Sequence, residues 1–442
     1  MNPFPETFTL QNVKIKNFRA VEQATIPLHP QVTVLIGDNA TGKTTILEAI
    51  ATALSTLVRR FSPPSKRMTQ ISANDFTTAP GKDLLGEPWR AQDLSIEIET
   101  TFGSIESQYR LDTAYSDKPR VKQDLNRTTG IWLADLLESN ETAPVLVYYR
   151  DNRGQFHGDR EPMFRRQAKE RYGAYHLAFE NRVYFDEAVS WFEEAENAEL
   201  RDQREHGRDF RDARLSAVRR AVENLVPEVC DLRMLGRPPQ LAMTLKSEGQ
   251  DERLLTAGQL SSGFRTMVAL AMDLARRMAD LNPHLADPTQ SPGVVLIDEI
   301  DLHLHPRWQQ LVVKGLLEAF PNIQFIMSTH SPQVLTTLRE ENILKLVWNN
   351  GELRLEQLPS TEGAESGRLL SSVMGVNERP PKEVSKFVVA LESYLGLLRL
   401  GKADSSDAIE SLRMMQTLSP DDPILATLNL EKRRLAALKP KI

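Results

Sequence analysis

The sequence predicts an α/β fold on three observations. A dense apolar strand, QVTVLIG, runs through Gly37-Asp38-Asn39-Ala40-Thr41-Gly42-Lys43-Thr44-Thr45 into the helical stretch ILEAIATALSTLV. A second aliphatic run, Val294 to Ile297, ends in Asp298-Glu299. A third, IQFIMSTH, ends in His330. Strands this continuously aliphatic belong to a parallel sheet covered on both faces.

Ahead of the first of these strands, FTLQNVKIKNFRAVEQATIPL alternates apolar and polar residues as two short half-buried strands do. The following junction, 37–45, fits G-x-x-x-x-G-K-[ST] with a strand before it and a helix after it, which is the context a P-loop requires. Its glycines let backbone N–H groups wrap a polyphosphate. Lys43 reaches the β/γ oxygens as a point charge, and the Thr44 hydroxyl is placed to ligate Mg²⁺. ATP and Mg²⁺ are therefore the expected ligands.

The acidic strand end supplies the complementary chemistry. Phosphoryl transfer asks mainly for positioning and charge stabilisation, so Asp298 is expected in the Mg²⁺ shell and Glu299 beside the attacking water. A water-exposed carboxylate pair is the plainer alternative. His330 stands where an imidazole senses a γ-phosphate, although a lone strand-end histidine also serves purely structural ends. In AGQLSSGFRTMVAL, Leu260-Ser261-Ser262-Gly263 abuts a helix start, where free N–H groups and the positive dipole end form an anion site. An ordinary helix N-cap accounts for the same four residues.

The order of phosphate loop, LSSGF, acidic strand end and strand-end histidine resembles ABC-type ATPases of the branch that includes the SMC, RecF and OLD-like proteins. KIKNFRA, GDNATGKTT, LSSGFRT, VVLIDEIDLHLHPRWQ and FIMSTHSPQVL carry the resemblance over about 1–60 and 255–345. It implies a P-loop NTPase fold of the ABC-type ATPase-head kind. It also implies that Ser261, Ser262 and Gly263 belong to a signature motif completing the site of a second subunit, in trans. LSSGF departs from the LSGGQ pattern at Ser262 and Phe264. By the same resemblance Arg19 approaches bound nucleotide, and His305, with His303, falls in a loop that crosses a dimer interface. Lys43, Glu299 and His330 are then the catalytic set. The family's glutamine loop has only a weak candidate in Gln70. A site finished by a symmetry mate exists only when two chains meet, so a homodimer or higher homo-oligomer, working as an ATP-gated switch, is expected.

Four segments follow from this layout: an N-terminal ATPase lobe over 1–80, an insert over 81–250, a C-terminal ATPase lobe over 251–350, and a helical C-terminal extension over 351–442. The insert lacks sustained heptads and is expected to be compact and mainly helical, with one core strand at about 143–149. Tyr148 and Tyr149 read as core packing more than as nucleotide contacts, and Arg153 stands in the charged turn that follows. DEAVSWFEEAENAELRDQREHGRDFRDARLSAVRRAVENLV interleaves charges as a solvated helix face does, though its arginines, Arg201 through Arg220, are also a candidate grip on a phosphate backbone. The tail has Pro-marked amphipathic helices, one starting at Asp421-Asp422-Pro423, and no strand-borne acidic cluster of a fused nuclease.

This arrangement is similar to the stand-alone ATPases of bacterial anti-phage systems of the PtuA type. That similarity implies a separately encoded nuclease partner, commonly of the HNH class, and in some cases a retron. A RecF-like repair ATPase that clamps DNA in the ATP state shares every core motif and is the alternative. A transporter ATPase and a catalytically dead scaffold fit less well, the second because Lys43, Thr44, Asp298 and Glu299 are all present.

Composition agrees with these classes. Of 442 residues, 40% are hydrophobic and 26% charged, and 54 basic against 60 acidic residues give a net charge of -6, so nothing global demands nucleic acid or an anionic membrane. Cys230 is the single cysteine, which excludes an internal disulfide framework and suits a reducing compartment. With no apolar run long enough to span a membrane and no signal-like start, a cytoplasmic location is expected.

Overall fold

The computed structural model describes residues 7–58, 71–82, 88–102, 105–116, 119–125, 141–150, 171–180, 185–246, 249, 251–349, 352–377 and 379–438. β1 (Phe8–Phe18) and β2 (Val21–Pro27) form a hairpin, and β3 (Val32–Ile36) feeds α1 (Lys43–Val58). β4 (Thr78–Lys82) pairs with β5 (Pro88–Arg90). The long strands β6 (Asp93–Phe102) and β7 (Ile105–Ala114) with β8 (Lys122–Leu125) then return to β1, giving an antiparallel sheet in the order β2-β1-β6-β7-β8. β9 (Val145–Tyr149) enters the core. Helices α2 (Phe185–His206) and α3 (Ala213–Leu225) lead to a three-stranded sheet of β10 (Val229–Leu235), β11 (Gln240–Leu245) and β12 (Arg253–Thr256).

After α4 (Ser262–Leu281) come β13 (Gly293–Ile297), α5 (Pro306–Gln309), α6 (Val312–Ala319), β14 (Ile323–Ser328), α7 (Pro332–Leu335), β15 (Ile343–Asn349) and β16 (Glu352–Glu356). The central sheet runs β16-β15-β3-β14-β13-β9, and every pairing from β15 to β9 is parallel. β3, β9, β13 and β14 are buried along their whole length. Parallel register carries the C-terminal ends of all four to one edge, where ligands bind in open α/β sheets. α1 lies between this sheet and the antiparallel one, touching strands of both. It is buried on nearly all sides, with Ile, Leu, Ala and small hydroxyl residues around its circumference. Buried Gln324 on β14 joins the two sheets, its side-chain amide exchanging hydrogen bonds with the Leu10 backbone at 2.7 and 2.8 Å.

The fold is thus an α/β core on a largely parallel sheet, with helices at the C-terminal end of the chain. Among the described residues of the insert, 81–250, helices α2 and α3 are followed by strands β10 and β11, and the regular elements before 150 are strands. The reason is legible in DLSIEIETTF, whose strict alternation buries every second side chain against α1 and pairs β6 with β1. β16 completes the edge of the central sheet beside β15. The chain divides into compact units over Met1–Ser366 and Gly367–Ile442. Described by itself, the second unit contains α9 (Lys386–Arg399), α10 (Ser406–Leu418) and α11 (Pro423–Leu438), with α8 (Ser366–Ser372) at its start. Leu391, Tyr394, Ala408, Met415 and Leu428 form its core. Asp422 caps α11 by accepting the Ile424 N–H at 2.9 Å, and its carboxylate is bridged by Arg379.

Candidate functional site

The loop between β3 and α1 is shaped by backbone conformations that side chains disfavour. Gly37 and Gly42 have φ of +148° and +98°, and Ala40 is also left-handed at +64°. A Cβ at Gly37 would stand 2.6 Å from the Leu346 carbonyl, so that position excludes any side chain. The Thr41 hydroxyl closes the turn on the Asp38 carbonyl at 2.8 Å. Lys43 is buried with its Nζ donating to the Gly37 and Asp38 carbonyls at 2.7 and 2.9 Å. Burial lowers its pKa, while Asp298, Asp38, Glu299 and Asp301 pull in the opposite direction. Thr44 is exposed at the first turn of α1, Thr45 is half-buried, and Asp38, Asn39 and Ala40 face solvent.

Two strands away, Asp298 follows β13 and is 6% exposed. Its N–H donates to the Tyr149 carbonyl at 2.8 Å, and the Ser328 hydroxyl donates to its carboxylate. Ser328 also accepts the Glu299 N–H at 2.8 Å. Glu299 has φ of +49°, a conformation a non-glycine residue holds only where its surroundings impose it. Beyond β14, the Thr329 hydroxyl and His330 N–H both donate to Asp301, at 2.5 and 3.3 Å, and the exposed His330 ring follows. The parallel register thereby brings Lys43, Asp298, Glu299 and His330 to one sheet edge.

A buried lysine on loop carbonyls, a cradle that admits no Cβ and a carboxylate oriented by a serine fit a phosphate ligand with its metal. Thr44 and Asp298 would hold Mg²⁺, whose charge would neutralise phosphate oxygens there.

The signature candidates lie on α4. Ser261 is its N-cap, accepting the Phe264 N–H at 3.5 Å, and both Ser261 and Ser262 are exposed. Gly263 is buried against the loop after β13. A Cβ there would stand 2.5 Å from the His303 carbonyl. Phe264 packs edge-on to Trp308 at 3.9 Å. His305 caps α5 through its Nδ1, which accepts the Arg307 N–H at 3.3 Å. Among the described residues, no hydrogen bond joins Ser261, Ser262 or Gly263 to the phosphate loop of the same chain.

Several functional contacts escaped the sequence reading. Arg19 is bound to two acids, Glu48 on α1 and Asp75, with its Nε 2.8 Å from Asp75 Oδ1. Arg150, at the end of β9, reaches Glu48 from the other side. The signal for Glu48 was its being the single acid of α1. Tyr148 and Tyr149 are core residues, as expected. The Tyr149 hydroxyl donates to fully buried Asp273 on α4 at 2.8 Å, and Arg276 and Arg277 bind the same carboxylate. Of the arginines from Arg201 to Arg220, three hold acids of this chain: Arg214 pairs with Asp212, Arg219 with Glu196 and Glu199, and Arg220 with Asp287. Gln70 and Arg153 lie outside the described residues. No described helix is long and apolar enough to cross a membrane.

The chain is similar to several known proteins. The chain is 27% identical over 481 residues to the Escherichia coli protein named "Retron Ec83 probable ATPase", covering 95% of this chain and 86% of that one. It is 33% identical over 176 residues to Septu protein PtuA of Bacillus mycoides, covering 39% of this chain and 24% of PtuA. Among solved structures, the Smc head bound to the C-winged helix domain of ScpA aligns over 79% of this chain and 98% of that one, with a TM-score of 0.47 and 18% identity. A family profile described as "AAA domain, putative AbiEii toxin, Type IV TA system" matches residues 32–336, well over half the chain. That match takes in the phosphate loop, the acidic strand end and the strand-end histidine, and the chain belongs to this AAA-domain family.

Proposed function

We propose that this protein binds and hydrolyses ATP as a dimeric switch of a bacterial anti-phage defence system and governs a separately encoded nuclease. The observation that carries the reading is the meeting of Lys43, Asp298, Glu299 and His330 at one sheet edge, with Asp298 and Glu299 both fixed by Ser328. Lys43 binds the β and γ phosphates, Arg19 approaches them, Glu299 orients and polarises the attacking water, and His330 marks the γ-phosphate end. Ser261, Ser262 and Gly263 of one subunit close the site of the other, and the loop bearing His303 and His305 lies at the interface. The retron and Septu relatives supply the defence context.

The chain is proposed to be a platform and not the nuclease. Its carboxylates at the core strand end are committed to the phosphate site, and DNA cleavage needs a further acidic or histidine cluster. The RecF-like alternative, a DNA clamp, gains little from the insert, where Arg214, Arg219 and Arg220 are held by acids of their own chain.

The test is direct. Wild type should bind ATP with Mg²⁺ and turn it over slowly. Lys43→Ala should lose binding, and Glu299→Gln should keep binding while turnover falls by ~10² or more. Equal turnover by wild type and Glu299→Gln would remove Glu299 from its role. Incubation of the isolated chain with plasmid, linear DNA and RNA in Mg²⁺ or Mn²⁺, with and without ATP, should leave the nucleic acid intact. Cleavage abolished by a point substitution in this chain would overturn the platform reading.

A further inference from the structure

Glu48 sits five residues after Lys43 on α1, about 7.5 Å along the helix axis, and is 4% exposed. Two guanidinium groups reach its carboxylate, Arg19 from the β1–β2 turn and Arg150 from the end of β9. Arg19 lies beside the phosphate loop and Arg150 beside the acidic strand end. Val21, two residues past Arg19, lies 3.7 Å from where a Cβ on Gly42 would stand. Tyr149, next to Arg150, accepts the Asp298 N–H at 2.8 Å.

The two arginines differ in their freedom. The Arg150 side chain is 17% exposed and stacks over the Tyr148 ring at 4.8 Å. The Arg19 side chain is 38% exposed and is shared with Asp75. A buried carboxylate stripped of its counterion is strongly unfavourable, so Glu48 restrains any arginine whose departure would strand it. With two counterions, one can leave.

Resting on the reading of this loop as an ATP site, we infer that Arg150 is a positioning residue: it is the standing counterion of Glu48 and so frees Arg19 to exchange Glu48 and Asp75 for the phosphates of a nucleoside triphosphate. A polyphosphate is a stronger acceptor for the planar guanidinium than a carboxylate already neutralised by a neighbour.

The test is ATP–Mg²⁺ titration of the full-length chain by calorimetry, with thermal unfolding as the control for folding. Arg150→Met should weaken ATP binding ~10-fold or more, because Arg19 is then needed on Glu48. Glu48→Gln combined with Arg150→Met removes the buried charge together with its counterion and should restore binding to near the wild-type level. A general packing defect, or direct phosphate contact by Arg150, predicts no such rescue. Arg150→Met binding like wild type, or a double variant as weak as Arg150→Met, overturns the inference. Should Arg150→Met fail to fold, the near-isosteric Glu48→Gln carries the test. It should bind ATP at least as tightly as wild type, and a tenfold loss overturns the inference. Absence of ATP binding by wild type would instead defeat the nucleotide-site reading itself, and the inference with it.

Discussion

The Ser328 hydroxyl donates to the Asp298 carboxylate and accepts the Glu299 N–H at 2.8 Å. One side chain at the end of β14 therefore orients both acids at the end of β13, the neighbouring strand in the parallel sheet. It also explains how Glu299 keeps a φ of +49°, since the hydroxyl captures the N–H that this turn presents. Small hydroxyl residues closing an aliphatic strand are thus part of the site.

Ser328→Ala should accordingly reduce turnover more than affinity. The substitution leaves the Glu299 N–H without its partner and Asp298 without its orienting donor, at a stability cost of about 1–3 kcal/mol. Steady-state ATPase kinetics should show kcat down ~10-fold or more, with ATP affinity within a few-fold of wild type. An unchanged kcat in a folded Ser328→Ala protein would show that the acids hold their geometry without it.

What could be read ahead of the structure follows from what short-range patterns encode. β3, β13 and β14 were legible as aliphatic runs, and Lys43, Asp298, Glu299 and His330 were legible from their places at the strand ends. Strand order was not, because pairing β13 with β9 joins residues far apart in the chain. That pairing alone brings Arg150 beside Asp298. The strands β5 to β8 were missed for a different reason: charged side chains at alternate positions read as general polarity until β1 supplies a partner for β6. Gly263 shows a third case. The motif reading assigned it to a partner's nucleotide, yet the His303 carbonyl beside it already demands glycine within one chain.

The buried acids on and around α4 give pH dependences of opposite sign. Burial raises the Asp273 pKa, but Arg277 and Arg276 outweigh burial and hold its carboxyl well below the usual range. Its contribution to stability is therefore complete above its unfolded-state value of ~4 and is lost as pH falls through the lower folded-state value. Burial raises Glu187, with Arg276 and Arg277 only partly offsetting it. The protonated form of Glu187 is favoured in the fold, so its contribution is present at low pH and fades as pH rises through the raised value. Asp273→Asn should cost about 3–5 kcal/mol at pH 7 and flatten the acid limb of the stability curve. Glu187→Gln should stabilise slightly at pH 7 relative to pH 5. Urea denaturation across pH 2–8 separates the two, and a Glu187→Gln variant less stable at neutral pH than wild type would contradict the assigned sign.

The proposal that the signature acts in trans is best tested at Ser261. Gly263 is a poor choice, because any side chain there meets the His303 carbonyl at 2.5 Å and would damage the single chain whether or not a partner exists. Ser261 is exposed and contributes one long N-cap hydrogen bond, worth about 1 kcal/mol, so Ser261→Arg should fold almost as wild type. Bulk and positive charge at that point should nevertheless block ATP-dependent association, and hydrolysis with it. Lys43→Ala protein is expected to be equally inactive through loss of its own phosphate loop. Mixed dimers of the two then contain one composite site in which an intact loop meets an intact signature. ATPase activity should return in the mixture to about half that of wild type per dimer if the two sites fire independently. Native mass spectrometry fixes the heterodimer fraction against which that recovery is judged. Confirmed heterodimers without activity would place Ser261 outside the partner's site and leave it the helix cap that its contacts within one chain already describe.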